Sequence, residues 1–295
     1  MDPTIQAALA SWRPPIATIA TLLAIAAIYV RGFARLHRQM PTRFARGHLA
    51  CFLGGIAALG VAIASPLEAV DEVLLQVHMT QHLLLMLLSP VLLLAGAPAI
   101  PLLRGLHPRI AKIVGQALRA RPVRRAYERL TDPLICWLAF VLATWIWHLP
   151  GPFQLALRSD GWHFVEHTCF FTTALMFWYP VVQPWPSVAR WTRWAMLPYL
   201  LLAEGQNTIL SALFVFSNRL LYPYYASAPR VAGFTPLGDQ VVAGVLMWVP
   251  GSIFYLIPAA TIMFQMLAPQ NLSSPLLKKD GIAVRSRAIQ DSAAH

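Results

Sequence analysis

The sequence predicts an all-α polytopic membrane protein, a seven-transmembrane helix bundle with its N-terminus outside and its C-terminus in the cytoplasm. Three observations predict it. Of 295 residues, 57% are hydrophobic and 12% charged, with a mean hydropathy of +0.56, which is far from the composition of a soluble domain. Seven apolar segments, at about 14–33, 48–66, 73–97, 133–150, 162–183, 194–216 and 239–267, approach the roughly 20 residues that a helix needs to cross a bilayer. The basic residues, finally, fall in alternate loops: of 23 Lys and Arg, all but Arg13, Arg158, Arg219 and Arg230 lie after the first, third, fifth or last segment. By the positive-inside rule those loops and the C-terminus are cytoplasmic. The net charge of +11 therefore reads as topology and as a match for anionic inner-leaflet lipid, not as a nucleic-acid footprint.

Residues 1–275 are expected to form a single seven-span domain and 276–295 a polar, disordered cytoplasmic tail. The opening "MDPTIQAALASWRPP" carries an acid and three prolines and lacks the form of a cleavable signal peptide, so the first span is expected to insert intact. In the second span the small residues Gly54, Gly55 and Gly60 permit close packing against a partner helix, either internal or on another chain. Pro90, Pro98 and Pro101 interrupt the third segment, which predicts a kink near Pro90 and an end near Gly96. The basic stretch at about 104–132 has apolar residues at helical spacing and reads as an amphipathic helix on the inner interface or, alternatively, as a docking surface. Trp145, Trp147, Trp162, Trp178, Tyr179, Trp185, Trp191, Trp194, Tyr222, Tyr224 and Tyr225 cluster at span ends and read as interface anchors. Cys51, Cys136 and Cys169 lie in spans without CxxC spacing and read as small buried hydrophobes.

The histidines carry the chemistry. The third span runs inward from Asp71 and Glu72, which places His78 about 10 Å and His82 about 16 Å below its entry. The fourth span ends outside at His148. The fifth starts with His163, Glu166 and His167 in "DGWHFVEHTCFF". Positions i and i+4 stack on one helical face, so the pairs in "HMTQH" and "HFVEH" can each reach one ion. A lone histidine at a span end is usually an interhelical hydrogen bonder. Two such pairs plus a carboxylate at matched depth instead predict a metal or haem site, because ionisable groups in a membrane are costly and face a bundle interior. Neutral imidazole suits copper, zinc or iron, and Met79, Met86 and Met247 add soft thioethers that tilt the choice toward copper. Glu204, beside Gln206 and Asn207 near the midplane, reads either as an interhelical hydrogen bonder or as a proton or cation relay. Asp239 reads as the N-cap of the last span, bordering the metal site.

Taken together, "HMTQHLLLMLLSPVLLLAGAP", "WHLPGPFQLAL", "HFVEHTCFFTTALMFWYPV" and "GDQVVAGVLMWVPGS" resemble the CtaG family of caa3-type cytochrome c oxidase assembly factors. This family is distinct from the single-span copper chaperone that shares the CtaG name. The resemblance implies a multi-pass protein of the bacterial inner (plasma) membrane that helps to make active haem-copper oxidase. It implies His78, His82, His148, His163, Glu166 and His167 as motif positions, with Asp239 and Met247, and copper, as Cu(I) or Cu(II), as the metal. The expected partners are an oxidase subunit, periplasmic copper carriers and membrane lipids, with no nucleic acid. A metallochaperone is expected over an enzyme.

Three other readings compete. "HFVEH" matches the H-x-x-E-H pattern of zinc hydrolases, which points to a membrane enzyme with bound zinc. Histidines on facing helices point to a b-type haem protein. A metal-free assembly partner would use its histidines only as hydrogen-bonding glue.

Overall fold

In the computed structural model, which describes residues 2–231 and 233–267, helices joined by turns and loops make up the fold and no strand occurs among the described residues. The predicted tail at 276–295 lies outside the described residues. A short helix α1 (Pro3–Ser11), which the sequence reading did not expect, precedes α2 (Ile16–Gln39) and α3 (Arg46–Ile63). The third segment is assembled from α5 (Leu75–Leu83), a π-helical turn at Leu84–Leu88 and α6 (Ser89–Ala95), and is preceded by a single helical turn, α4 (Leu67–Val70). The basic stretch folds into α7 (Ala99–Gly105), α8 (Pro108–Arg119) and α9 (Arg121–Leu130). Next come α10 (Pro133–His148), α11 (Pro150–Leu157), α12 (Asp160–Val182), α13 (Met196–Phe216), α14 (Tyr224–Ser227) and the long α15 (Pro236–Leu267).

All seven predicted segments are helical, but among the described residues five helices are long and apolar enough to cross a membrane: Ile16–Gln39, Arg46–Val70, Leu75–Ala95, Arg193–Phe216 and Pro236–Leu267. A sixth is reached if α9 and α10, bent by 63° to one another, are taken as one span. Helix α10 alone has 16 residues, which at 1.5 Å each covers only about 24 Å. Helix α12 has 23 residues, enough for a crossing, but Asp160, His163, Glu166 and His167 dilute its first turns with polar groups.

The break near Pro90 takes a particular form. Pro90 has no N–H to give to the carbonyl of Met86, four residues back. The chain widens into the π turn just before it, and the indole Nε1–H of Trp178 on α12 donates to the freed Met86 oxygen at 2.9 Å. The segment then ends at Gly96, as expected. Trp178 is 1% exposed, so it is a core residue and not an interface anchor. The same correction applies to Trp147, Tyr222 and Tyr225, all buried, whereas Trp162, Trp185, Trp191 and Trp194 are exposed as anchors would be.

Gly55 settles where the small residues of the second span pack. A Cβ there would come within 2.8 Å of the Leu93 backbone nitrogen, and Ser89 Oγ donates to the Gly55 carbonyl at 2.9 Å. The partner is internal, helix α6. Helices α8 and α9 bury no residue and leave Ile110, Ile113, Leu118, Val123, Tyr127 and Leu130 exposed beside their arginines, the arrangement of an amphipathic surface.

Two apolar clusters bracket the bundle centre. One gathers Phe140, Phe170, Phe177, Trp178, Tyr199 and Tyr255, and the other Met79, Phe153, Phe214, Tyr222 and Met247. Trp178→Phe keeps most of the ring volume but strands the Met86 carbonyl in the first cluster. We expect a loss of about 1–3 kcal/mol, read as a lower thermal unfolding midpoint in detergent; an unchanged midpoint would show that the carbonyl finds another donor.

Candidate metal centre

Helix α5 carries His78 and His82 on one face, with ring centroids 4.4 Å apart. Helix α12 presents His163 and His167, 4.1 Å apart, from its first two turns. The i,i+4 spacing thus does what the geometry of a helix requires. The two pairs face one another, with His78 5.2 Å from His163 and His82 5.6 Å from His167 between ring centroids.

Two groups of donor atoms result. His78, His82, Glu166 and His167 each offer an atom within 4.8 Å of the others, and so do Asp71, His78 and His163. Glu166 stands between the helices, its Oε2 3.6 Å from His78 Nε2 and its Oε1 3.8 Å from His82 Nε2. On the other edge of the same ring, Asp71 Oδ2 lies 3.8 Å from His78 Nδ1 and 3.6 Å from His163 Nε2. These separations are too long for direct hydrogen bonds. Both ring nitrogens of His78 and His82, Nε2 of His148, His163 and His167, and both oxygens of Asp71 and Glu166 are buried without a hydrogen-bond partner. One such orphan costs about 1–3 kcal/mol, a cost that a cation held between them would offset. Imidazole nitrogen with carboxylate oxygen and no thiolate fits copper, zinc or iron.

Asp71 was not among the residues singled out from the sequence. Lying between the spans in the turn before α5, it is 1% exposed, and burial pushes its carboxyl up to about 8, with Glu72 and Glu68 adding to the shift. A cation held there would offset that cost. The sequence signal was its position two turns ahead of His78.

His148 belongs to neither group. Its Nδ1 is bound to the Thr144 carbonyl at 2.7 Å, which leaves Nε2 free, and its ring sits 5.8 Å from that of His82. A space of about 30 Å³ touching His82, His148, Met79, Met86 and Met247 brings the thioethers beside the histidines. Glu204 is elsewhere: its Oε1 accepts from Thr208 Oγ1 at 2.8 Å and from Ser252 Oγ on α15 at 2.6 Å, so it ties α13 to α15. The cysteines are all free thiols and join neither group.

The profile of the cytochrome c oxidase caa3 assembly factor family (Caa3_CtaG) matches residues 27–268. The chain belongs to this family. The match takes in every residue of both donor groups. Uncharacterized proteins of Mycobacterium bovis and Mycobacterium tuberculosis are each 25% identical over 264 residues, covering 83% of this chain and 38% of their own length. An uncharacterized protein of Mycobacterium leprae is 23% identical over 274 residues, covering 89% of this chain and 40% of its own. The chain thus spans about two fifths of the length of these relatives. No solved structure matches it.

The family segments that surround the donor groups hold them in place. Asp239, in the first turn of α15, does not cap its own helix as expected. Its Oδ2 accepts from the Leu75 N–H at 2.7 Å and its Oδ1 from the Gln76 N–H at 3.1 Å, so it caps α5, the helix of His78 and His82, where a negative charge meets the positive end of the dipole. Tyr225 donates to the Asp71 carbonyl and Tyr222 to the His148 carbonyl, both at 2.8 Å. Phe153, stacked on Tyr222 at 3.8 Å, closes one side of His78 at 5.0 Å.

Asp239→Ala removes both acceptors from the start of α5, and we expect a loss of about 0.5–2 kcal/mol, with Asp239→Asn intermediate. Thermal unfolding of the three proteins in detergent measures it; identical midpoints would show that the cap does not hold α5.

Proposed function

We propose that this chain is a seven-span assembly factor of the bacterial inner membrane, N-terminus outside, that binds copper at its buried histidines and passes it to a haem-copper oxidase subunit. Membership of the oxidase assembly family supplies the client. The observation that carries the copper reading is the ring of orphaned nitrogens and oxygens from Asp71, His78, His82, His163, Glu166 and His167. In the proposed topology this ring lies in the outer half of the membrane, the side from which periplasmic carriers would deliver copper. Transfer proceeds by ligand exchange: the ion leaves imidazole and carboxylate donors one at a time as donors of the client replace them. The thioethers of Met79 and Met247, next to His82 and His148, give Cu(I) a soft neighbour on the way.

The competing readings fare less well. In an H-x-x-E-H hydrolase both motif histidines hold one zinc while the glutamate serves as base. Here His163 falls with Asp71 and His167 with Glu166, in different groups, and Glu166 is itself a donor. A haem needs a slot for its macrocycle, whereas His82 has Phe170 at 4.5 Å and only about 30 Å³ of space toward His148.

The test is elemental analysis of protein purified without chelator or histidine tag, with a visible spectrum. Copper without a Soret band is expected, lost from the His78→Ala/His82→Ala protein, and membranes of cells carrying that variant should contain copper-deficient oxidase. Zinc in place of copper, or a Soret band, would overturn the assignment.

A further inference from the structure

We infer that the cluster is two cation positions joined by one ring, and that both fill together with His78 as a bridging imidazolate. This rests on the metal-binding reading above and deepens it. His78 is 0% exposed and neither of its nitrogens has a hydrogen-bond partner. A core histidine with a structural role normally satisfies at least one. The two nitrogens diverge from one ring, so a single ion cannot take both, and each faces its own donor set. Toward Nδ1 lies Asp71 Oδ2 at 3.8 Å, which is itself 3.6 Å from His163 Nε2. Toward Nε2 lies Glu166 Oε2 at 3.6 Å, with His82 and His167 completing the group.

Charge follows the same division. Each position has one buried carboxylate, Asp71 at 1% exposure and Glu166 at 0%, and the imidazolate adds a third negative charge shared between them. Filling both positions breaks the remaining N–H bond of His78. The proton passes to water, the ring keeps the electron pair to form the second metal–nitrogen bond, and no metal changes oxidation state. A way in exists beside both positions. A cavity of about 380 Å³ is bounded by Glu68, Glu72 and Asp160, and reaches His163 of one group and His167 of the other. Its carboxylates concentrate cations at the mouth.

The test titrates the full-length protein in detergent with copper(II) chloride, removes excess by desalting, and combines copper per chain with electron paramagnetic resonance. Two coppers per chain are expected, with a signal far below two spins because ions bridged by one imidazolate couple antiferromagnetically. Asp71→Asn and His163→Gln should each keep one copper with a full one-spin signal, and that retained ion reports an intact bundle. Two coppers with a two-spin signal, two coppers retained in Asp71→Asn, or loss of both ions from both variants would contradict the bridge. One copper in the unaltered protein and in Asp71→Asn alike overturns the second position and leaves the single-site reading standing. No copper in the unaltered protein overturns both.

Discussion

Burial of seven imidazole nitrogens, from five histidines, and four carboxylate oxygens without hydrogen-bond partners is the constraint on which the rest of this structure depends. Apolar side chains such as Phe153, Phe170 and Met79 pack around them and offer no hydrogen-bond partner. The helices could have lowered their energy by rotating any of these groups outward or by replacing them with Leu. They keep the groups facing one another, at separations of 3.6 to 3.8 Å that are too wide for direct bonds and suited to a small cation between them. A cation bound there would offset the cost of burying these groups unpaired.

The framework around the groups is arranged to hold that geometry. Helix α5 is fixed at its start by Asp239 from the opposite end of the sequence. Past its other end, the π turn before Pro90 is tied to α12 through Trp178. The two helices that bear the histidine pairs are thereby braced against each other. Tyr222 and Tyr225 fasten the backbone of His148 and Asp71 from the segment that leads into α15. Membership of the oxidase assembly family fits a protein whose mechanical task would be to keep donors apart until an ion arrives, and the small space lined by Met79, Met86 and Met247 would give such an ion a second side.

Much of this was legible in the sequence, and the failures have physical causes. The histidine pairs were legible because i,i+4 spacing fixes a shared face whatever the tertiary fold. Asp71 was passed over because an acid at a span entrance is ordinary, and only the turn before α5 folds it back over His78. Asp239 is a cap, as its sequence position suggests, but of α5 and not of its own helix: a carboxylate at a helix start can serve any N-terminus within reach. Tyr222, Tyr225, Trp147 and Trp178 read as interface anchors because aromatic residues at span ends serve both as anchors and as buried donors, and sequence does not separate the two. The seven apolar segments all became helices, yet α12 does not qualify as an apolar crossing, because the residues that would hold the metal are the ones that lower its hydropathy.

The most direct measurement is X-ray absorption at the copper edge of the loaded protein. A first shell of nitrogen and oxygen with the outer-shell multiple scattering of at least two imidazoles is expected, with loss of that scattering in the His78→Ala/His82→Ala protein. A first shell made of sulfur, or an unaltered spectrum in that variant, would contradict copper binding at these histidines.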